Sequence, residues 1–281
     1  MTTGHIHVTT DLIAQVEQAE IEAWTDFYSA AGAGASRALG IAVSTNPSET
    51  ITLASRLDIL AFNRVLGLGL IVPISGETLE RITLTYKRAG VPRFFVQLSP
   101  PVVTDEVSQL LRANGFSHYN NWVKLCRDVA PVPPLETSVV VDEITKSQAR
   151  VFSRILVDSF DWPRALCPWI ESAIGRPRWR FYLAYHKKRA VATAALFVSG
   201  DVGWIDFAST LPEARGKGAQ AALLRRRIED ARRDGCRTIV VETAEQTRDR
   251  EAPSFRNMIR YGFQTAYVRP NYIWRNIGQQ G

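Results

Sequence analysis

Hydrophobic and polar residues follow two periods along this chain, one typical of helices and one typical of strands. From residue 12 to residue 28 apolar side chains recur every three or four positions, which predicts an amphipathic helix that ends in the small residues 30–36. Three apolar runs then predict strands, at residues 42–44, 51–54 and 57–70. The rest of this half predicts helix, strand, helix and strand, at residues 78–89, 94–98, 105–113 and 116–126.

A proline-rich segment interrupts this pattern. Residues 130–134 read Ala-Pro-Val-Pro-Pro, and such a sequence cannot continue a helix and favours an extended spacer. A new series then begins with the order strand, helix, helix, three strands, helix, strand, helix and strand, between residues 139 and 274. We therefore predict two domains, at residues 1–129 and 137–281, joined by a linker at residues 130–136.

The two halves resemble repeats of one pattern. Gly90 and Gly235 each end a helix, and a later helix in each half ends just before a Gly-Phe pair, at Gly115 and Gly262, that opens an aromatic strand. Corresponding glycines are separated by nearly the same number of residues, which favours a degenerate tandem repeat. Two unrelated α/β halves are the alternative interpretation.

Composition narrows the class of protein. The 281 residues are 46% apolar and 22% charged, which suits about two globular domains. No apolar run approaches the roughly 20 residues of a membrane span, and no signal peptide is visible, so we expect a cytoplasmic protein with no membrane partner. The net charge of +6 is spread along the chain, so we expect no nucleic-acid partner. The three cysteines, Cys126, Cys167 and Cys236, are far apart, which predicts neither a disulfide framework nor a metal site.

Residues 204–228 predict a strand, a small basic loop and a helix. The loop reads Arg-Gly-Lys-Gly-Ala-Gln over residues 215–220. Backbone N–H groups in the first turn of a helix have no intrahelical partners, and the helix dipole adds positive charge there. The glycines would let a phosphate approach the backbone, and the arginine and lysine would attract it. The stretch predicts a phosphate-bearing ligand; an ordinary strand-to-helix turn is the alternative.

The loop resembles the acetyl-coenzyme A loop of the GNAT superfamily of N-acetyltransferases. In that family an Arg or Gln is followed three residues later by Gly and two residues after that by Gly or Ala. Arg215 and Gly218 match this pattern, whereas Gln220 departs from it and can still offer its backbone N–H. The element order also resembles the family over residues 139–275. The resemblance implies an α/β fold of the α+β type, with two tandem acyl-CoA N-acyltransferase folds, each a mixed, mostly antiparallel twisted sheet flanked by helices.

The resemblance also implies acetyl-CoA as co-substrate. Backbone amides of a splayed strand would bind the acetyl carbonyl and the pantetheine arm, and the loop would bind the pyrophosphate. Met258 stands where many of these enzymes have a general-acid Tyr, so Ser254 in the same helix is the candidate partner of the coenzyme sulfur. The implied coenzyme site is Ala208, Ser209, Thr210, Arg215, Gly216, Lys217, Gly218, Ala219, Gln220, Ala221 and Ser254. Arg225 and Arg226 either reach further phosphates or form a solvated helix face.

The first half carries no such loop. Residues 72–77 read Val-Pro-Ile-Ser-Gly-Glu where the second half has its basic loop, and Glu77 would repel phosphate. We predict that this half has the fold and binds no coenzyme, or binds it poorly.

Two carboxylates are candidates for the general base. Glu242 ends a buried apolar run, where desolvation can raise the pKa of a carboxyl group. Asp206 lies two residues before Ala208, and strand alternation predicts its side chain on the same side as those of Trp204 and Ala208. For each of them the alternative is a salt-bridged structural acid or a polar strand terminus.

The implied function is an acetyl-CoA-dependent N-acetyltransferase, an acyltransferase that moves acetyl to a primary amine of a small-molecule acceptor. Direct attack in a ternary complex is expected, because Cys167 and Cys236 have no evident activating partner. No metal is expected, and the protein is expected to be a monomer or homodimer. The alternative is a non-catalytic acyl-CoA-binding sensor or scaffold. Trp162, Trp169 and Trp179 either line the acceptor site or belong to the core.

Overall fold

A single eleven-stranded sheet runs through both halves of the chain. The computed structural model describes residues 6–132, 137–247 and 252–276. The helices are α1 (Thr10–Ser29), α2 (Ala33–Leu39), α3 (Gly76–Arg88), α4 (Asp105–Ala113), α5 (Ala149–Phe160), α6 (Cys167–Ala173), α7 (Ala219–Arg233) and α8 (Pro253–Arg260). The strands are β1 (Ile41–Thr45), β2 (Thr50–Ala54), β3 (Arg64–Leu66), β4 (Arg93–Gln97), β5 (Phe116–Asp128), β6 (Val140–Glu143), β7 (Trp179–His186), β8 (Arg189–Ser199), β9 (Val202–Thr210), β10 (Thr238–Ala244) and β11 (Gln264–Arg275).

The last strand of each half is exchanged with the other half. The strand order is β1-β2-β3-β4-β11-β5-β10-β9-β8-β7-β6. Thus β11 lies between β4 and β5, and β5 lies between β11 and β10. The sheet is mostly antiparallel, with parallel pairing at β3–β4 and β9–β10. The predicted boundaries at 1–129, 130–136 and 137–281 stay predictions, and residues 133–136 of the linker lie outside the described residues.

The predicted element order of the second half is confirmed from β6 to β11. In the first half α1, α2, β1, β2, β3, α3, β4, α4 and β5 repeat that order, without a counterpart of β6 among the described residues. The prediction of a mixed, mostly antiparallel sheet flanked by helices is also confirmed.

Two predicted elements of the first half were wrong. The small residues after α1 form a second helix, α2, which buries Leu39 and ends at Gly40 in the left-handed conformation, with φ of 65°. The strand predicted over 57–70 shrinks to β3, because Asn63 turns its side chain to the backbone of Ala54 and Leu57. Composition alone did not reveal these contacts.

Helices cover both faces of the sheet. One face carries α1, α2, α5 and α6 over a large apolar cluster, and we call it the α1 face. On the opposite face α7 and α8 cover the second half, and α3 and α4 cover the first. Trp169 and Trp179 are buried in the cluster of the α1 face, whereas Trp162 is only partly buried and packs against it.

Candidate active site

Strands β9 and β10 pair over a short stretch and then separate. Their parallel register runs from Val202 opposite Thr238 to Trp204 opposite Val240. Beyond that point β9 continues to Thr210 beside β8, and β10 continues to Ala244 beside β5. Beyond Trp204 and Val240, the described residues form no strand pairing along the edges of β9 and β10 that face each other. The splayed strand implied by the sequence is therefore present.

A β-bulge lies in β9 just where the strands separate. Phe207 and Ala208 oppose the single residue Ala194 of β8. Phe207 has φ of 50°, a left-handed conformation that is unusual for a bulky residue. Two hydrogen bonds hold it: its N–H donates to Asp206 Oδ1 at 2.6 Å, and its carbonyl accepts from Thr193 Oγ1 at 2.8 Å. Such local strain is found preferentially at functional sites.

The bulge corrects the predicted alternation of β9. Asp206 pairs with Ala195, and Ala195 belongs to the apolar cluster of the α1 face. Asp206 therefore does lie on the same side of the sheet as Trp204. At the next position Phe207 also packs into the cluster of the α1 face. Because the bulge inserts one residue, Ala208 does not continue the alternation.

The basic loop leads into an uncapped helix. Gly218 is the N-cap residue of α7, with φ of 80°, and no side chain caps this end. Since the N–H of Ala222 already bonds to the carbonyl of Gly218 at 3.0 Å, the earlier N–H groups, at Ala219, Gln220 and Ala221, are those without intrahelical partners. Arg215, Gly216 and Lys217 precede this turn and are exposed. A cleft of about 510 Å³ adjoins the loop and is lined by Thr137, Ser138, His186, Gly216, Lys217 and Gly218.

The corresponding helix of the first half differs at its start. Ser75 caps α3, and its side chain accepts a hydrogen bond from the N–H of Thr78 at 3.2 Å. The first turn also contains Glu77. At the start of α3 the Ser75 side chain therefore occupies an N–H group, whereas the corresponding N–H groups of α7 are free.

Gln220 connects the loop to β9. Its Nε2 donates to the carbonyl of Ser209 and to Thr210 Oγ1, both at 2.8 Å. A Gly or Ala at this position could not make these bonds. The family pattern drew attention only to the backbone N–H of Gln220, so this side-chain contact was not predicted from the sequence.

The remaining predicted coenzyme contacts fall into two groups. Arg225 pairs with Glu229 at 2.7 Å and Arg226 pairs with Asp230 at 2.8 Å, which makes them an ion-paired helix face. Ser254 is exposed in the first turn of α8, and Met258 of the same helix is buried in the apolar cluster below α7. Ser254 as a coenzyme contact stays a prediction.

Glu242 belongs to a buried ion cluster that we call the six-residue ion cluster. The cluster combines three acids and three bases, from α1, β3, β5, β10 and β11: Glu17, Glu20, Glu242, Arg64, Lys124 and Arg269. Glu242 lies 3.0 Å from Lys124 Nζ, 3.5 Å from Arg64 Nη1, and also contacts Arg269. Its side chain is only 10% exposed. These contacts suit a structural acid better than a base that must reach a substrate amine.

Asp206 has different surroundings. It lies on the α1 face at the start of the bulge and is partly buried, and within the described residues its one hydrogen bond comes from the N–H of Phe207. Burial is the main cause that raises its pKa, and the negative charges of Glu242 and Glu20 add to this, while the Phe207 hydrogen bond and Arg64 act in the opposite direction. The pKa of Asp206 therefore moves toward neutrality, as the role of a general base requires.

Helix α1 covers this side of the site. The rings of Trp24 and Phe27 pack against Phe207 with centroid distances of 6.2 and 5.0 Å, and Glu20 joins the six-residue ion cluster. This role of α1 was not predicted from the sequence. The available signal was Glu17 and Glu20 within its apolar stripe, next to Val16.

The described residues also bear on thiol chemistry, metal binding and membrane insertion. Burial raises the pKa of the Cys236 thiol to about 11, so little thiolate forms at neutral pH. Within residues 6–132, 137–247 and 252–276, no group of three or more His, Cys, Asp or Glu side chains is placed to hold a metal ion. No described helix is long and apolar enough to cross a membrane.

Comparisons with known proteins agree with this geometry. Residues 142–257 match the family described as Acetyltransferase (GNAT) family. No curated protein sequence matches the chain. Solved structures resemble it at low identity, which supports a shared fold.

Three of these structures resemble most of the chain. A GCN5-related N-acetyltransferase from Sphaerobacter thermophilus has a TM-score of 0.62 at 14% identity, and the match covers 83% of this chain and 82% of that one. A GCN5-related N-acetyltransferase from Kribbella flavida has a TM-score of 0.60 at 14% identity, and the match covers 84% of this chain and 90% of that one. A tandem GNAT protein from the clavulanic acid biosynthesis pathway has a TM-score of 0.59 at 14% identity, and the match covers 81% of this chain and 78% of that one.

These matches extend over both halves, which confirms the tandem arrangement and the GNAT-like fold of the first half. Residues 142–257 therefore match the GNAT acetyltransferase family, and the half before them has a similar, GNAT-like fold.

Proposed function

We propose that the protein is an acyl-CoA-dependent N-acyltransferase whose second half moves an acetyl group to a primary amine of a small-molecule acceptor. One observation carries this proposal: the uncapped start of α7 lies at the end of the same strand, β9, that contains the bulge and the splay. A binding site for pyrophosphate and a site for a thioester are thus connected by one stretch of backbone.

The coenzyme would occupy this stretch from the loop toward the bulge. Its pyrophosphate would accept hydrogen bonds from the free N–H groups of α7, with Arg215 and Lys217 supplying positive charge. The pantetheine arm would extend along the free edge of β9, past Thr210 and Ser209. This direction brings the thioester carbonyl to the backbone around Ala208, where fixed N–H groups can stabilise an oxyanion.

The reaction is a transfer of the acyl carbon from sulfur to nitrogen. Asp206 accepts a proton from the substrate ammonium, and the free amine attacks the thioester carbonyl. The new C–N bond forms, and the nitrogen releases its second proton to solvent. The C–S bond of the tetrahedral intermediate then breaks, and the leaving thiolate is protonated from solvent, because Met258 cannot donate a proton. No step requires an enzyme thiol, in keeping with the raised pKa of Cys236.

The start of helix α3 is unsuited to phosphate, so the first half would not bind coenzyme. Its helix α3 is capped by Ser75 and begins with an acidic residue. One coenzyme site per chain follows.

A second function is favoured by the coverage of the α1 face. Helix α1 packs over Phe207, and Glu242 is engaged by three cations, so the amine has a restricted approach. A non-catalytic acyl-CoA-binding sensor or scaffold would keep the loop and need no acceptor.

Two measurements separate these functions. Calorimetric titration of acetyl-CoA should give one site per chain, lost in an Arg215→Glu, Lys217→Glu double variant whose substitutions lie on the exposed loop. Thiol release with a panel of primary amines should then exceed the rate of hydrolysis without amine. Binding without amine-dependent release would support the sensor, and no binding to the wild type would contradict both functions.

A further inference from the structure

Arg227 is a buried cation without an ionic partner. Its side chain is 1% exposed and lies on α7. Its Nε donates to the carbonyl of Leu223 at 3.3 Å, while Nη2 has no hydrogen-bond acceptor. Among the described residues no carboxylate lies within ion-pair distance of it. Buried guanidinium groups are usually paired, because desolvation of an unpaired charge is costly.

The position of Arg227 interrupts the apolar stripe of α7. Four of the residues within one turn before and after it are apolar and buried: Leu223, Leu224, Ile228 and Ala231. Asp230 is also buried there, and its carboxylate pairs with Arg226 and Arg233. Its two arginine neighbours in sequence have carboxylate partners, Glu229 for Arg225 and Asp230 for Arg226. Burial lowers the pKa of Arg227 to about 10, while the charges of Tyr182 and Asp206 act in the opposite direction, so the cation persists at neutral pH.

Two contacts fix where Arg227 stands along β9. Gln220 bonds to Ser209 near the end of the strand, and a Cβ built on Gly203 near its start would lie 3.3 Å from Ala231. Helix α7 therefore runs antiparallel to β9. From Gln220 to Arg227 the helix rises by about 10 Å. The same distance back along β9 from Ser209, at about 3.3 Å per residue, reaches the level of Asp206.

For a ligand that enters from the loop, the position of Asp206 along β9 lies just beyond the bulge. A coenzyme with pyrophosphate at α7 and thioester at Ala208 would direct its acyl chain toward Asp206 and Ile205. The orphan guanidinium stands beside that point on the α7 side of the sheet. An acetyl group would leave it without a partner, whereas a carboxylate at the end of a longer acyl chain would give it one.

We propose that Arg227 binds a terminal carboxylate of the acyl group, so that the preferred donor is the CoA thioester of a short dicarboxylic acid. This inference rests on the proposed function and replaces acetyl by a carboxyacyl group such as succinyl or malonyl. The transfer is otherwise the same. The C–N bond forms, the C–S bond breaks, and the distal carboxylate passes unchanged into the amide product.

The carboxylate belongs to the acyl group and not to the acceptor because of the side on which Arg227 lies. Asp206 and the covering helix α1 are on the α1 face, which is where an amine must meet its base. Arg227 belongs to the helix on the opposite face, along which the coenzyme would lie. A carboxylate carried by the coenzyme can therefore reach it without crossing the sheet.

The experiment compares ligands of equal chain length. Butyryl-CoA and succinyl-CoA differ in a terminal methyl against a terminal carboxylate, and free CoA measures the coenzyme contribution alone. Calorimetry with wild-type protein should give a Kd for succinyl-CoA at least 10-fold lower than for butyryl-CoA. Equal or weaker binding of succinyl-CoA overturns the inference while leaving the proposed function in place; failure of CoA itself to bind contradicts both.

Variants then locate the effect. Arg227→Met should remove the preference for succinyl-CoA, keep the Kd of free CoA within about twofold, and not lower Tm, since it removes an unpaired buried charge. Arg227→Lys should keep part of the preference. Arg232→Met, an exposed position on the same helix, is the matched control and should behave as wild type. If Arg227→Met fails to fold, the wild-type comparison still decides; a preference that survives in a folded Arg227→Met variant overturns the assignment.

Discussion

Asp206 and Glu242 lie on the same face of the sheet, and their partners assign them different chemistry. Glu242 contacts three cations of the six-residue ion cluster, whereas Asp206 accepts a hydrogen bond from Phe207 at the bulge. A carboxylate that must take up a proton during a reaction needs a pKa near the working pH. The raised pKa of Asp206 fits this need, and we therefore propose it as the general base.

Asp206→Asn tests this assignment. Loss of a general base should lower kcat by about 10²–10⁴-fold, while Asn can still accept the Phe207 hydrogen bond. Since burial raises the pKa of Asp206 in the folded state, its ionised form costs stability above that pKa and costs nothing below the unfolded value of 3.8. The variant should therefore have a higher Tm than wild type at pH 7 and no advantage at about pH 3. A variant that keeps wild-type activity would remove Asp206 from the mechanism.

Glu242→Gln tests the structural role of the second acid. It leaves three buried bases with one fewer carboxylate, which should cost about 3–5 kcal/mol of unfolding free energy, measured by urea denaturation. The double variant Glu242→Gln, Lys124→Met restores the charge balance and should recover part of that loss. A stable but inactive Glu242→Gln variant would instead return Glu242 to the role of base.

At the scale of elements, the start of α7 is where sequence and structure agree best. The glycine spacing predicted a strand, a loop and a helix, because these features depend on local backbone preferences. Gly218 does have a positive φ, of 80°, and precedes the first helical residue. The bulge at Phe207 was not predicted, because it depends on the pairing of β9 with β8 and on Thr193 from that neighbouring strand.

Gly218 provides a prediction with a matched control. Any side chain here is strained, and its Cβ would lie 3.1 Å from Thr137 Oγ1. Gly218→Ala carries this strain without charge and should weaken acetyl-CoA binding by about 10-fold or less. Gly218→Glu adds a negative charge at a phosphate site and should abolish measurable binding in a calorimetric titration. Equal affinities of the two variants would show that charge at this helix end does not matter and that the loop has been misassigned.

For the whole molecule, the sequence predicted two halves of the same order and missed how they join. Helix order depends on local periodicity and glycine stops, which the sequence displays. The exchange of β5 and β11 depends on partners more than 100 residues apart, such as Tyr272 opposite Val96 and Leu125 opposite Val241. The ion cluster likewise draws on both halves, so no local window of sequence contains its pairing.

The ion cluster predicts how stability depends on pH. Burial opposes ionisation of Glu20, but Arg269, Lys124 and Arg64 together hold its pKa well below the usual value of 4.5. A depressed pKa contributes stability that is present above 4.5 and is lost as the pH falls toward the folded-state pKa. Urea midpoints should therefore decrease from pH 5 to pH 3. Glu20→Gln should be less stable than wild type at pH 7 and should flatten this decrease; an unchanged slope would contradict the role of Glu20.

The strand exchange predicts that the two halves stay together when the chain is cut. Both neighbours of β11 come from the first half, and both neighbours of β5 come from the second. A protease site introduced between residues 132 and 137 should yield two fragments that co-elute as one species in size-exclusion chromatography. The cut protein should unfold in one transition, because each fragment keeps a strand inside the other's sheet. When a fragment is expressed alone, the strands that pair with its last strand are missing. Such a fragment should fail to give a cooperative unfolding transition. Fragments that separate and unfold independently would show that the halves are autonomous domains, each pairing its own last strand.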